Sequence, residues 1–152
     1  MNRYEDVPGD LEVVFKKVVK ERFPGLINTN FKLLFDNKKR VQKGKITLAS
    51  IELANEKIKY FSAGNDIPEG YDYIIVIDKV AWEYAHEDDR ERVLSHELCH
   101  VFIDEKGKYK IVNHDIEDFL AEIKRNADKP NWGVELATLI SSIYEQSEEE
   151  KN

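Results

Sequence analysis

The segment His96-Glu97-Leu98-Cys99-His100 limits the possible folds of this chain more than any other feature of the sequence, because its two histidines can act together only if the segment is helical. Residues four apart on an α-helix project from the same face, so both imidazoles can reach one zinc ion at about 2.0 to 2.1 Å. Glu97 is rotated by about 100° from His96 and can take a proton from water beside the metal. The pattern predicts His96 and His100 as zinc ligands and Glu97 as general base of a peptide-bond hydrolysis.

A catalytic zinc site normally has three protein ligands and a water molecule, so the two histidines need a third partner. The candidate is His114, which follows a predicted turn and opens a predicted helix. Asp118, one turn further along that helix, and Asp115 are alternative ligands or orienting partners of the histidines. Glu117 and Glu122 are the other carboxylate candidates.

The residues around the motif exclude one class of zinc peptidase. A metzincin requires Gly at position 103 and His at position 106, whereas this chain has Ile103 and Lys106, so that class is excluded. Cys99 should point away from the metal and behave as a small buried apolar residue. Tyr109 and His86 are candidate donors to the tetrahedral oxyanion.

The apolar patterns along the chain predict a mixture of helices and strands. Helical spacing predicts a first helix over 10–22, the motif helix over 88–103, a helix over 115–125 and a last helix after Pro130. The runs 31–35 and 46–53 predict two antiparallel strands joined by a basic loop, and the unbroken run 73–77 predicts a central strand covered on both faces. A turn at 106–108 and a short extended piece at 109–112 follow the motif. The expected fold class is α+β.

Length and composition predict one domain. The chain has 152 residues, 41% of them hydrophobic, which suits a single domain over 1–146 with an acidic, frayed tail at 147–152. A single cysteine allows no intramolecular disulfide. No segment is apolar for the roughly 18 to 20 residues that a bilayer crossing needs, and the start of the chain lacks a signal-peptide layout. We therefore expect a cytoplasmic protein without a membrane partner.

Charge is distributed unevenly in this acidic chain. The net charge is −7, yet residues 16–45 carry ten Lys or Arg against two Asp or Glu, or +8. Such a run is usually a solvated face, and it also offers candidate polyanion contacts at Lys38, Lys39, Arg40, Lys43 and Lys45. The alternative function is thus a non-catalytic zinc-containing module that binds nucleic acid or another partner through residues 16–45. Glu97 discriminates the two, because a structural zinc site needs no base.

Three blocks of sequence resemble the family of putative phage metallopeptidases, namely 73–82, 90–100 and 114–119 (HDIEDF), and the upstream segment 44–49 is similar too. The likeness covers roughly residues 10 to 126. The motif and the later His-Asp element are also similar to SprT-like and Spartan-type proteases. No zinc ribbon or DNA-binding extension is evident, so the DNA-crosslink repair role of the Spartan branch is not inferred.

The resemblance implies a minigluzincin-like fold, with a small, twisted, mostly antiparallel sheet packed against helices that include the motif helix. It also implies zinc held by His96, His100 and His114, and a phage or prophage origin. A protein or peptide substrate would lie along an exposed sheet edge beside the motif helix, since extended peptides add readily to such edges.

Overall fold

The structure is a computed structural model that describes residues 2–42, 44–112 and 131–151, with only the backbone for residues 148–151. Its elements follow in the order β1 (Tyr4–Asp6), α1 (Gly9–Arg22), a 3-10 turn (Pro24–Leu26), β2 (Phe31–Asp36), β3 (Val41–Gln42), β4 (Lys45–Ile46), β5 (Ala49–Leu53), α2 (Glu56–Ser62), β6 (Tyr73–Asp78), α3 (Lys79–Tyr84), α4 (Glu87–Leu98), β7 (Val101–Ile103), β8 (Tyr109–Ile111) and α5 (Trp132–Lys151).

A four-stranded sheet in the order β1-β2-β6-β5 forms the centre of the described chain. Strand β6 is buried along its whole length, as its unbroken apolar sequence predicted. It pairs parallel to β2 and antiparallel to β5, and β1 pairs antiparallel to β2. The sheet is therefore mostly antiparallel, and the predicted α+β class is confirmed.

The strands predicted from the runs 31–35 and 46–53 do run antiparallel, but they do not pair with each other. Strand β6 lies between β2 and β5 and bonds to both. A strand buried on both faces needs a neighbour on each side to satisfy its backbone groups, and β6 is the most apolar strand available. The second run is also divided, because Ile46 belongs to the small β3-β4 ribbon within the basic loop.

The motif helix is shorter than predicted, because α4 ends at Leu98 and not at Ile103. Residues 101–103 are β-branched or aromatic, and they pair as β7 with β8 across the turn at Gly107, whose φ of 79° suits glycine. Cys99 keeps a right-handed helical conformation (φ −66°, ψ −18°), and the amide of His100 donates to the carbonyl of Glu97 at 3.1 Å. The predicted turn and extended piece are present.

Helices cover the sheet and form two apolar clusters. Helix α1, predicted over 10–22, buries Leu11, Phe15 and Val18 against the sheet and against Leu94 and Leu98 of α4. Helix α5 forms a second cluster, in which Trp132, Leu136 and Ile140 pack with Ile46, Ala81 and Val93. Both clusters use residues of α4, so the motif helix is held from two sides.

Some predicted segments have a different extent, or lie outside the described residues. The backbone of residues 147–151, predicted as a frayed tail, continues α5. The predicted helix 115–125 falls outside the described part of the chain. Strand β1 and helices α2 and α3 were not predicted, since each is only three to seven residues long. Among the described helices, none has both the length and the apolar character for crossing a membrane.

Candidate active site

Helix α4 places the motif residues between the apolar core and an open cavity. Leu94 and Leu98 point into the core and are fully buried, whereas His96 and Glu97 line the cavity. Acidic residues 87–89 occupy the first turn of α4, where the helix dipole favours negative charge. The guanidinium of Arg90 lies 4.9 Å from the ring centroid of Trp82 and donates to the Trp82 carbonyl at 2.9 Å. These contacts tie the helix to α3 and limit its movement.

The structure brings the rings of His96 and His100 together although His100 follows the end of the helix. Their centroids lie 5.6 Å apart, with an angle of 72° between the ring planes. The helical conformation of Cys99 continues the helical path for the residues between them, so the two histidines stay one turn apart. Cys99 itself is half-buried and not buried as predicted.

His100 is oriented by the β7-β8 ribbon. Its Nδ1 lies 2.6 Å from the carbonyl oxygen of Val112, and the amide of Val112 donates to the carbonyl of His100 at 2.8 Å. A carbonyl oxygen can only accept, so Nδ1 must carry the proton in this contact. Nε2 is then the nitrogen that carries a lone pair, as a metal ligand requires.

Glu97 is a buried carboxyl group, with 7% of its surface exposed. Burial raises the pKa of Glu97 to about 8, and the positive charge of Arg40 opposes this rise. A pKa close to neutrality suits a group that takes up and releases protons in each cycle of a reaction. Such a shift in a cavity wall is typical of functional carboxyl groups.

The cavity beside these residues has a volume of about 400 Å³ and three walls. One wall is the segment 45–49, the second is α4 with Val93, His96 and Glu97, and the third is the beginning of α5. The ring of Trp132 lies 6.4 Å from that of His96. Sequence reasoning did not assign the third wall to the site, because the helical pattern of α5 indicates only a packed helix.

Arg40, which the charge pattern grouped with the polyanion contacts, is turned into the protein. Its Nε lies 3.1 Å from Oδ2 of Asp36, whose side chain is fully buried. Its Nη1 donates to Ser50 Oγ at 2.7 Å and its Nη2 to the Val76 carbonyl at 3.5 Å. The Arg40 side chain therefore connects the basic loop to β2, β5 and β6. Because its guanidinium bonds to these strands, Arg40 is not one of the solvated charges of the loop.

The other basic residues of that loop occupy different positions. Lys38 and Lys45 are exposed, and Lys45 stands at the cavity. The ammonium of Lys39 lies 5.6 Å from the ring centroid of Tyr144 on α5. Lys43 lies outside the described residues.

The two candidate oxyanion donors do not line the described cavity. His86 is exposed at the start of α4, ten residues before His96, or about 15 Å along the helix axis. Tyr109 packs against Tyr73 with ring centroids 5.6 Å apart, and its hydroxyl accepts from Thr29 Oγ1 at 3.4 Å. Their role as oxyanion donors therefore stays a prediction that these contacts do not test.

The remaining candidate ligands lie in the part of the chain that the structure does not describe, namely His114, Asp115, Glu117, Asp118 and Glu122. Within the described residues, no group of three His, Cys, Asp or Glu side chains could hold a metal ion. The described site thus contains two histidines and a carboxyl group, and a third ligand would come from elsewhere in the chain.

The sequence model of a family described as putative phage metallopeptidase matches residues 2–144. The chain belongs to this family. The match covers almost all of the chain, so the resemblance seen in the three sequence blocks is confirmed over a longer range than they span. Comparison with curated proteins and with solved structures gave no match. Membership in a metallopeptidase family implies a metal and a protein or peptide substrate.

Proposed function

We propose that this metallopeptidase uses zinc, with His96 and His100 as ligands and Glu97 as the general base. The observation that carries the proposal is that His96 and the buried carboxyl group of Glu97 line one cavity, with the ring of His100 next to that of His96. A purely structural zinc site would close the metal with four protein ligands and would need neither the carboxyl group nor the cavity.

The two histidines fit zinc in spacing and in chemistry. Each ligating nitrogen lies 2.0 to 2.1 Å from zinc, so two imidazoles on one tetrahedral ion have centroids roughly 5 Å apart. The observed separation of 5.6 Å is close to that value. The contact between His100 and Val112 leaves Nε2 as the ligating atom, which is the usual arrangement for a metal-bound histidine. When bound, zinc supplies the Lewis acidity that makes amide hydrolysis feasible at neutral pH.

His114 is proposed as the third ligand, and the pairing of His100 with Val112 supports it. His114 follows Val112 by two positions in the sequence, and two residues span at most about 7 Å. Because Val112 bonds to His100 in both directions, the chain leaves the ribbon beside the second ligand. Asp118 and Asp115 remain the alternatives, either as ligands or as partners that orient a histidine.

Glu97 is proposed to move the protons of the reaction. Its carboxylate would take a proton from the attacking water and deliver it to the leaving amine. The base must be ionised at the start, and burial alone disfavours that form. The positive charge of Arg40, and that of a bound cation, favour the carboxylate and bring it into the working range.

The substrate is proposed to be an extended peptide bound along β5. This strand is at the edge of the described sheet, where it pairs with β6 and has β8 nearby. Helix α4 contacts β5, so a peptide added there would lie next to the motif. Peptides commonly bind in this way at exposed sheet edges.

The test compares Glu97→Gln with the parent protein on a peptide that the parent cleaves. We expect Glu97→Gln to lose hydrolysis and to keep zinc at the parent's stoichiometry, because the carboxyl group acts on water and not on the metal. His96→Ala should lose both. The matched control is Glu87→Gln, which removes an exposed carboxylate from the first turn of the same helix and should leave activity unchanged. Full activity in Glu97→Gln would contradict the proposed mechanism.

A second candidate function is polyanion binding by Lys38, Lys39, Lys43 and Lys45, either beside the peptidase activity or, in the non-catalytic alternative, in place of it. The observation that favours it is the exposure of Lys38 and Lys45 on a loop that Arg40 anchors to the sheet. A nucleic acid is the corresponding partner, and its binding would weaken with salt because condensed counterions are released.

A further inference from the structure

The cavity beside His96 and Glu97 is mostly apolar although it adjoins a site of charge and proton transfer. Its apolar lining includes Ile46, Leu48, Val93, Trp132 and Ala137. Besides the motif residues, Lys45 is the charged residue among those of the described chain that line it. Burial of an apolar ligand group against such a wall is favourable, whereas burial of a polar group without a hydrogen-bond partner is unfavourable.

The size of the cavity suits a side chain larger than alanine. Its volume of about 400 Å³ falls in the range of pockets that hold small organic ligands. A large apolar side chain and the peptide unit next to it would fit such a space.

Two small residues keep the α5 wall open. Gly133 and Ala137 are four apart on this helix and so share one face, and both line the cavity. A Cβ atom added at Gly133 would meet nothing within 4 Å, so the cavity is open at this position. Because Ala137 lines the same cavity, a larger side chain there would take up part of its volume.

We propose that the cavity is the specificity pocket of the peptidase, that it takes an apolar side chain next to the scissile bond, and that Ala137 sets the largest side chain admitted. This inference rests on the proposed function, because it assumes that the peptide bond is cut at the motif. It identifies the substrates as peptides with a branched aliphatic or aromatic residue at one position beside the cleaved bond.

The first test maps cleavage sites in a mixture of peptides by mass spectrometry, for the zinc-loaded parent and two variants. Parent sites should have Leu, Ile or Phe on one fixed side, preferred over Ala by at least about tenfold in kcat/KM. Ala137→Leu should abolish this preference, with at least a tenfold loss on Phe peptides and little loss on Ala peptides. The matched control, Thr138→Leu, adds a leucine at the next, exposed position of the helix and should keep the parent's preference.

Gly133→Ala keeps the test valid if Ala137→Leu does not fold. Alanine is favoured over glycine inside a helix, and the added methyl group has free space, so this variant should fold and should lose part of the activity on Phe peptides only. A parent without apolar preference, or variants with the parent's preference, would overturn the inference while leaving the peptidase proposal intact.

A binding measurement tests the proposed pocket independently of peptide cleavage. Calorimetry on zinc-loaded Glu97→Gln would compare two acetylated and amidated tetrapeptides that differ only in Phe or Ala at one position. Tighter binding of the Phe peptide by at least tenfold, lost in the Glu97→Gln, Ala137→Leu double variant, supports the pocket even if the parent cleaves no peptide. Equal binding of the two peptides would overturn it.

Discussion

Replacement of Arg40 by methionine should destabilise the protein, whereas the same replacement at Lys38 should not. Arg40 bonds to the fully buried carboxylate of Asp36 and to Ser50. Methionine keeps most of the aliphatic length and removes the charge and the donors. The ammonium group of Lys38 is exposed, and only the backbone amide of this residue bonds to Asp36, at 2.9 Å, so Lys38→Met leaves that bond in place.

The loss of unfolding free energy expected for Arg40→Met depends on the partners that Asp36 retains. Removing one partner of a buried ion pair costs about 3 to 5 kcal/mol when the other charge is left alone. Asp36 would keep Arg3, whose Nη2 lies 3.3 Å from Oδ2, and the Lys38 amide, so the loss should be nearer that of one charged hydrogen bond. We expect about 2 to 3 kcal/mol for Arg40→Met and within about 0.5 kcal/mol of zero for Lys38→Met.

Urea unfolding followed by tryptophan fluorescence measures both changes, because Trp82 and Trp132 are buried. With a slope of about 2 kcal/mol per molar urea, the Arg40→Met midpoint should fall by about 1 to 1.5 M at unchanged slope. A double-mutant cycle with Asp36→Asn should give a coupling energy of about 1 to 3 kcal/mol. Equal midpoints for Arg40→Met and Lys38→Met would show that the Arg40 contacts do not stabilise the fold and that Arg40 behaves as a solvated charge of the loop.

Three further outcomes are expected. His114→Ala should reduce zinc affinity severely and Asp118→Ala only by roughly 10 to 100-fold, as for an orienting partner; the reverse order in a competitive chelator titration would make Asp118 the ligand. The Lys38→Ala, Lys45→Ala double variant should bind a polynucleotide more weakly than the parent at low salt, and its affinity should depend less steeply on salt concentration. Fluorescence anisotropy measures both, and equal affinities of the two proteins would contradict the polyanion proposal. Burial raises the pKa of Tyr73 to about 12, so the folded state retains a proton that the unfolded state loses, and stability should fall as pH rises from about 10 to 12. In Tyr73→Phe this fall in the urea midpoint should be smaller than in the parent, and the remainder comes from other groups with a raised pKa, such as Tyr144; an equal fall in both proteins would contradict the assignment to Tyr73.

The parts of the fold that local patterns specify were predictable. The apolar run of β6 indicated a central strand, and the helical spacing in α1 indicated its buried face. The spacing after Pro130 indicated a helix, but Val134 and Leu139 among its apolar residues are exposed. The closeness of the His96 and His100 rings was predictable for the same reason, since the two residues are four apart, or about one helical turn.

The features that sequence reasoning missed depend on contacts between distant residues. The end of α4 is set by the pairing of residues 101–103 with 109–111, which no pattern within the helix reveals. The insertion of β6 between β2 and β5 joins segments about 40 residues apart in the case of β2. Arg40 looked like part of a solvated charge run, because its partner Asp36 is recognisable as buried only in the folded sheet.

Anomalous scattering across the zinc absorption edge, from crystals grown with zinc, would locate the metal and its ligands. We expect one zinc ion bound by Nε2 of His96, Nε2 of His100 and a third ligand, namely His114, with an open coordination position facing Glu97. A zinc ion closed by four protein ligands, or bound away from His96 and His100, would contradict this expectation.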